Sequence, residues 1–225
     1  MKCMDPRGRP TLILVPTALE LRRIDDHGGI DPGLGQVHLC GFGPVAAAAR
    51  SAALIASLHP ARVLLVGIAG TYDAEFLRVG SAAAFDAVAI EGIGVGEGER
   101  ALAPPALGFP QWPGGAGVAK IEDRIELVRA PANSARAALL LSTCCASDSA
   151  AHAALRRRKF PDAAAEDMEG FGVALAAALH GVSCTIVRGI SNTVGDRDPT
   201  HWRIPAALAA ARTLAIELLQ HGSAA

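Results

Sequence analysis

Asp-Met-Glu-Gly at 167–170 and Arg-Gly-Ile-Ser-Asn-Thr-Val-Gly-Asp-Arg-Asp at 188–198 flank an Ala-rich stretch and a short apolar run. The pattern predicts a strand over 163–168, a helix over 170–180 and a buried strand over 184–191. A carboxylate opens the helix, and polar residues directly follow the second strand. Because loops at the carboxyl ends of strands line the ligand crevice of α/β sheets, this stretch predicts a small-molecule site.

The same alternation of short apolar strands and Ala-rich helices continues toward both ends of the chain. It predicts further strands over 11–16, 37–40, 62–67, 81–91 and 135–142, and helices over 44–59, 147–159 and 204–219. Strands that are apolar on both faces and separated by helices are typical of a mainly parallel sheet. We therefore predict an α/β fold with a mixed, mainly parallel central sheet flanked by helices on both faces. The predicted single domain covers 1–225, with 1–10 as a candidate disordered tail.

The composition argues against nucleic-acid and membrane partners. Of 225 residues, 51% are hydrophobic and 19% are charged, and the formal net charge is -1. The short basic run at 156–159 is better explained as a solvated helix face than as a nucleic-acid patch. No stretch is long and apolar enough to span a bilayer, and the first residues lack the apolar segment of a signal peptide. We expect a cytoplasmic protein.

Residue types that usually bind metals or cofactors show no pattern of that kind. The five cysteines are scattered and odd in number, and the seven histidines lack metal-ligand spacing. The glycine-rich run at 92–98 lacks both the spacing and the following helix of a dinucleotide-binding loop. The sequence therefore predicts no metal and no cofactor.

Two glutamates are candidates for chemistry. Glu20 follows the first predicted strand, where a carboxylate can activate water, although an exposed acid in the first turn of a helix is the simpler explanation for this residue alone. Glu169 lies where a buried strand turns into a helix. We favour a functional role there, because a carboxylate can accept two hydrogen bonds from the vicinal hydroxyls of a ribose. The stretch Gly-Ile-Ala-Gly at 67–70 fits either a tight turn or close approach to a ligand.

Five motifs in the same order resemble the nucleoside phosphorylase/nucleosidase superfamily, type I. They are Glu20, Gly-Phe-Gly-Pro-Val-Ala-Ala at 41–47, Gly-Ile-Ala-Gly at 67–70, Asp-Met-Glu-Gly at 167–170 and Ile-Ser-Asn at 190–192. The resemblance covers nearly the whole chain and implies a nucleoside substrate and a homo-oligomer. It implies that Glu20 deprotonates the attacking water and that Met168 and Glu169 hold the ribose. The remaining residues that it places at the substrate are Ala69, Gly70, Ser191 and Asn192.

Asn192 bears on the purine that is released. Related nucleosidases that cleave 6-aminopurines have an aspartate at this point. A carboxamide matches a 6-oxopurine protonated at N7, because its C=O accepts from N7–H and its NH₂ donates to O6. An ionised aspartate would instead face O6 with a second acceptor. Asn192 therefore predicts hypoxanthine or guanine as the leaving base.

The segment 188–198 followed by Trp202 is most similar to a hydrolase branch of this superfamily that releases hypoxanthine from a nucleoside with a benzoate tail. The similarity implies N-glycosidic hydrolysis, with Arg197 binding the tail carboxylate and Trp202 its ring. Leu65 stands where bacterial phosphorylases carry a phosphate-binding arginine, which favours water as the nucleophile. Three alternatives stay open: a purine nucleoside phosphorylase that uses Arg22, Arg23 or Arg50, a methylthioadenosine-type nucleosidase, and a non-catalytic binding module.

Overall fold

The structure, a computed structural model, describes residues 8–221, in which strands and helices alternate. The elements are β1 Thr11–Val15, α1 Ala18–Asp26, β2 Gln36–Leu39, α2 Pro44–Leu58, β3 Arg62–Thr71, β4 Ala82–Glu91, β5 Arg124–Glu126, β6 Arg136–Thr143, α3 Ala150–Lys159, β7 Ala163–Asp167, α4 Gly170–Leu179, β8 Ser183–Thr193 and α5 Ile204–His221. The predicted single domain and the tail over 1–10 extend into residues 1–7 and 222–225, which lie outside the described residues. Within that tail, Pro10 accepts a hydrogen bond from the backbone of Ala61.

The strands form one mixed sheet in which parallel pairs predominate. Strands β2, β1, β3 and β8 run parallel, as do β4, β6 and β7. Antiparallel pairing joins the two sets where β8 meets β4 and where β3 meets β7. Five strands, β3, β8, β4, β6 and β7, therefore pair in a closed ring. The predicted α/β class and mainly parallel sheet are confirmed, whereas the ring closure had no signal in the sequence.

The pairing of β3 with β7 brings two strand ends together. Gly70 near the end of β3 lies opposite Glu166 near the end of β7, in antiparallel register. The carboxyl ends of the two parallel sets meet at this point. The residues at the ends of β3, β7 and β8 therefore lie in one region. The sequence pattern alone placed these residues on separate loops.

Helices cover both faces of the sheet, as predicted. Alternate residues of β1 show why: Leu12 and Leu14 belong to a buried cluster with residues of α2 and α4, whereas Ile13 and Val15 belong to a cluster with residues of α1 and α5. Both sets are fully buried, which is typical of strands covered on two sides. Among the described residues, no helix combines the length and apolarity that crossing a membrane requires.

Two elements and the extension of two strands were not predicted. Strand β8 runs two residues past its predicted end to Thr193, so Asn192 lies within the strand and not after it. Strand β3 continues through the 67–70 stretch to Thr71, with a register shift between Ala69 and Gly70, so the alternative of a tight turn there is wrong. Helix α1 carries a capping box between Thr17 and Glu20, a signal that the sequence did contain. Strand β5 has only three residues, too few for a recognisable alternation.

Candidate active site

Glu20 lies at the start of α1, but it is buried rather than exposed, with 6% of its surface accessible. One carboxylate oxygen, Oε2, accepts hydrogen bonds from the backbone N–H of Thr17 at 3.0 Å and from its hydroxyl at 2.6 Å. The other, Oε1, accepts from the backbone N–H of Ile68 on β3 at 3.1 Å. Glu20 thus belongs to the capping box of α1 and also bonds to β3. It lies in the first turn of a helix, but its carboxylate is buried and not exposed.

Glu169 is freed from helix capping by two neighbouring side chains. At the start of α4, Asp167 Oδ2 accepts from the N–H of Gly170 at 2.9 Å and Ser142 Oγ accepts from the N–H of Phe171 at 2.8 Å. The Glu169 carboxylate instead accepts from the backbone N–H of Gly43 at 3.0 Å. It therefore points into the interior between α2 and α4, where 5% of its surface is accessible.

Arg188, on β8, is the cation that bridges Asp167 and Glu169. Its guanidinium donates to Asp167 through Nε at 2.9 Å and through Nη2, and Nη2 also donates to Glu169 at 3.2 Å. The side chain is completely buried. A Cβ atom built at Gly67 would overlap Arg188 Nη1 and would come within 2.8 Å of Glu20 Oε1. Gly67 thus leaves room where the guanidinium and the Glu20 carboxylate approach the same strand.

We call Glu20, Asp167, Glu169 and Arg188 the sugar-end cluster. One guanidinium pairs with Asp167 and Glu169 and is influenced electrostatically by Glu20, so the cluster carries excess negative charge when all three carboxylates are ionised. Burial raises the pKa of Glu169 to about 7, although Arg188 opposes the shift. Burial alone would lower the pKa of Arg188, but Asp167 and Glu169 raise it above its ordinary value, so the arginine stays charged. Within the described residues, no accepting group bonds to Arg188 Nη1.

Asn192 lies at the end of β8, beside the end of β3. Its Cα is the register partner of Gly70, and a Cβ atom built at Gly70 would lie 3.5 Å from Nδ2. Ser191 Oγ donates to Asn192 Oδ1 at 2.7 Å and also contacts the carbonyl of Ala69 at 3.2 Å. Asn192 Nδ2 donates to the carbonyl of Thr193 at 2.8 Å. The carboxamide is therefore held between two strands, with 9% of the residue accessible.

The predicted residues lie along one ridge of the fold. Glu20 bonds to Ile68 and Asn192 pairs with Gly70, and these β3 residues are separated by about 7 Å at the usual rise of a strand. Ala69 lies between them. Met168, half-buried, immediately precedes Glu169. Glu20, Ala69 and Asn192 are thus brought together along the end of β3.

Arg197 and Trp202 follow β8 in a more exposed segment. Arg197 stacks over the Trp202 ring, with its guanidinium carbon 5.0 Å from the ring centroid. The nearby acids do not pair with it, because Asp196 and Asp198 both contact His201. The predicted pairing of Asp196 with Arg197 is therefore wrong, whereas the polar turn itself is present. We call residues 191–202 the base-end segment.

Two members of the sugar-end cluster were missed from the sequence. Arg188 lies within a buried strand and Asp167 ends another, and neither residue was assigned a role, although both lie in the stretch that predicted the site. The available signal was a charged residue inside an apolar run, which requires a buried partner. Within residues 8–221, no group of three or more His, Cys, Asp or Glu side chains is arranged to hold a metal ion.

Relatives at the sequence level share one name. A futalosine hydrolase of Streptomyces coelicolor is 41% identical over 150 residues, 66% of this chain and 60% of that protein. A futalosine hydrolase of Thermus thermophilus is 33% identical over 203 residues, 85% of each chain. The match to the Streptomyces relative thus spans less than two thirds of that protein's length.

Solved structures with the same fold include two kinds of nucleosidase. The native futalosine hydrolase of Helicobacter pylori superposes with a TM-score of 0.75 at 15% identity, covering 96% of this chain and all of that one. A 5′-methylthioadenosine/S-adenosylhomocysteine nucleosidase of Colwellia psychrerythraea, in complex with adenine, gives 0.72 at 20% identity, covering 93% and 94%. A family model described as the phosphorylase superfamily matches residues 37–221. This chain belongs to the phosphorylase superfamily.

Proposed function

We propose that this protein hydrolyses the N-glycosidic bond of futalosine and releases hypoxanthine, a step of menaquinone biosynthesis. The observation that carries this function is the shared name of its relatives, one of which matches 85% of the chain. The arrangement of Glu20, Glu169 and Asn192 supports it, because each has a chemical part to play in breaking such a bond. The cytoplasmic location and the homo-oligomeric state stay predictions.

Asn192 would bind the leaving base. Ser191 occupies one lone pair of Oδ1, and the second lone pair is available to accept from a purine N7–H. One N–H of Nδ2 donates to the Thr193 carbonyl at 2.8 Å, and the other makes a long contact of 3.5 Å with the Asp196 carbonyl, which O6 of the base would replace as acceptor. As the C1′–N9 bond breaks, its electron pair moves into the purine and N7 takes a proton from solvent water. The carboxamide stabilises the resulting N7-protonated base.

Glu169 would hold the ribose. Its carboxylate is anchored by the Gly43 N–H and by Arg188, which fixes its direction before substrate binds. The remaining acceptor capacity suits two vicinal hydroxyls, and Met168 supplies an adjacent apolar surface. Prior fixation of this kind lowers the entropic cost of orienting the sugar.

Glu20 would activate the attacking water. Its Oε1 and the Nη1 of Arg188 converge where Gly67 lacks a side chain. A water molecule there can donate one proton to the carboxylate while its oxygen attacks C1′. Arg188, which keeps its charge, donates to the same oxygen and orients it. The balance is complete: water adds across C1′–N9, Glu20 receives one proton, and the base departs with a solvent proton at N7.

Arg197 and Trp202 would bind the benzoate tail of futalosine. The guanidinium stacks on the indole and has no carboxylate partner among the described residues. An arginine of this kind can form a bidentate pair with a ligand carboxylate. The tail therefore has a candidate partner on the same segment that holds the base.

The rival activity is phosphorolysis. Leu65 is fully buried and offers phosphate no donor, and Arg22, Arg23 and Arg50 are exposed on helix surfaces, whereas Glu20, Asp167, Glu169 and Arg188 are buried. The test is hypoxanthine release from futalosine, with and without phosphate, with inosine and methylthioadenosine as comparison substrates. We expect release at the same rate in both conditions and a preference for futalosine. Strict dependence on phosphate would indicate a phosphorylase. Preference for methylthioadenosine would indicate the other nucleosidase activity, and the absence of any turnover would favour a binding module.

A further inference from the structure

Asp196 is a hydrogen-bonding centre of the base-end segment. Its Oδ2 lies 2.8 Å from His201 Nδ1, and its Oδ1 accepts from the backbone N–H of Asp198 at 3.0 Å. Its backbone carbonyl accepts from the indole N–H of Trp202 at 3.2 Å and from Asn192 Nδ2 at 3.5 Å. We call Asp196, His201 and Trp202 the Asp196 clamp. The side chain of Asp196 is tied to the loop while its main chain faces the base-binding amide.

The clamp bears on the orientation of the Asn192 carboxamide. The carbonyls of Thr193 and Asp196 both face Nδ2, and both are acceptors. Rotation of the amide by 180° would bring Oδ1 against these two carbonyls, an unfavourable contact between acceptors. Oδ1 is therefore kept on the side from which a purine N7–H must donate. The Asp196 carbonyl contributes to this orientation only while the loop that carries it keeps its present conformation.

We propose that Asp196 and His201 are positioning residues that fix the orientation of the Asn192 carboxamide, most strongly when His201 is protonated. This role rests on the proposed function for its effect on turnover. Neither residue needs to touch the substrate. The closed loop holds the Asp196 carbonyl near Nδ2, and the ion pair between Asp196 and protonated His201 keeps the loop closed.

The charges around His201 favour its protonated form. Asp196 lies at 2.8 Å and Asp198 at 3.8 Å, while Arg203 opposes them. The hydrogen bond to Asp196 is the main reason that the pKa of His201 is raised above its ordinary value.

The start of α3 packs against the loop that carries Asp196 and His201. A Cβ atom built at Gly195 would lie 2.5 Å from the Ser149 carbonyl, so the loop packs there without room for a side chain. Asp148 and His152 at this end of α3 pair with each other at 3.4 Å, which leaves His201 to the acids of its own loop. Because the pKa of His201 is raised, the charged pair persists above the usual range of a histidine and is lost as the pH rises further.

The test compares pH profiles of kcat/KM for hypoxanthine release in the wild type, His201→Gln, Asp196→Asn and His152→Asn. In the wild type we expect a descending limb of about three- to tenfold above the raised pKa of His201, a size typical of exposed to partly buried charged pairs. His201→Gln keeps a hydrogen-bond donor without titrating, so it should lose this limb while retaining turnover. Asp196→Asn should lower kcat more than it changes KM, because N7 protonation develops in the transition state.

His152→Asn is the matched control, since it removes a histidine that pairs with an aspartate but does not reach Asn192. It should keep the wild-type profile. If His201→Gln keeps the same descending limb as the wild type, the positioning role is wrong.

A second measurement does not depend on catalysis. The side-chain amide resonances of Asn192, identified by their loss in Asn192→Ala, should shift with the protonation of His201 and should stop shifting in His201→Gln. If the protein releases no hypoxanthine but these resonances titrate, the proposed function fails and the clamp stands. If it releases hypoxanthine but the resonances do not titrate, the clamp fails and the function stands.

Discussion

The sugar-end cluster and the base-end segment are built in opposite ways. The cluster joins side chains from α1, β7, the start of α4 and β8, and both Arg188 and Asp167 have completely buried side chains. In the base-end segment, Ser191 and Asn192 are buried beside β3, whereas Asp196, His201 and Trp202 bond to one another within a few consecutive residues, and the side chain of His201 is 64% exposed. The cluster is fixed by tertiary packing and buried charge, and the exposed part of the segment by local hydrogen bonds.

This contrast indicates where changes are costly. A buried charge that loses its partner is expensive, because neither solvent nor another residue can replace the lost interaction. An exposed pair contributes little, because water solvates both charges and salt screens them. Substitutions in the cluster should therefore affect both stability and chemistry, whereas those in the segment should adjust specificity and pH dependence.

Glu20→Gln should produce the largest loss. The amide keeps the shape and can still accept from the Ile68 N–H, although its NH₂ loses the bond from the Thr17 N–H, and it cannot take a proton from water. We expect turnover of futalosine to fall by about 10³- to 10⁴-fold, the upper part of the range for general-base catalysis. Binding of futalosine, measured by calorimetry, should remain. Glu75→Gln, an exposed glutamate outside the cluster, is the control, and wild-type turnover in Glu20→Gln would remove Glu20 from the base role.

Arg188→Met compared with Arg197→Met measures the contrast directly. The first change leaves Asp167 and Glu169 without their shared cation in a buried site, which should cost roughly 3–5 kcal/mol of unfolding free energy. The second removes an exposed guanidinium, for which a change of about 0.5 kcal/mol or less is typical. Urea unfolding followed by circular dichroism gives both values. Equal losses in the two variants would show that burial does not separate the two regions.

The fold and part of the site could be predicted because they follow from local patterns. Runs such as Leu64-Leu-Val at 64–66 and the Ala-rich stretch after Glu169 set strand and helix through short-range periodicity. Asn192 could be assigned a role because the chemistry of a carboxamide is readable from its identity. Neither conclusion needed knowledge of which strands pair.

The rest depends on contacts that are distant in sequence. The stretch that begins at Gly67 fitted either a tight turn or close approach to a ligand. Gly67 is a strand residue whose missing side chain admits Arg188, which lies 121 positions later in the chain (188 − 67 = 121). Arg188 itself looked like part of a buried strand because its partners, Asp167 and Glu169, precede it by a whole helix. A charge inside an apolar strand signals that a partner exists, but not which residue provides it.

The free energy of unfolding should depend on pH through Glu169, a buried member of the sugar-end cluster. Its pKa is raised to about 7 in the folded protein, so the folded state holds a proton that the unfolded chain has already released. Stability is therefore greatest below the ordinary pKa of a glutamate and declines as the pH rises to about 7. We expect a decline of roughly 1–3 kcal/mol that Glu169→Gln lacks. Unfolding midpoints between pH 4.5 and 8 measure it, and parallel curves for the two proteins would contradict the assignment to Glu169.

Arg197→Ala should give the smallest effect and the finest test of the base-end segment. An exposed arginine that pairs with a ligand carboxylate contributes about 0.5–1 kcal/mol, or roughly a two- to fivefold change in KM. The change should appear with futalosine, whose tail carries the carboxylate, and should be absent with inosine, which has no tail. Arg203→Ala, another exposed arginine beyond this segment, serves as the control. Equal changes in KM for both nucleosides would mean that Arg197 acts on the loop as a whole, by stacking on Trp202, and not on the tail.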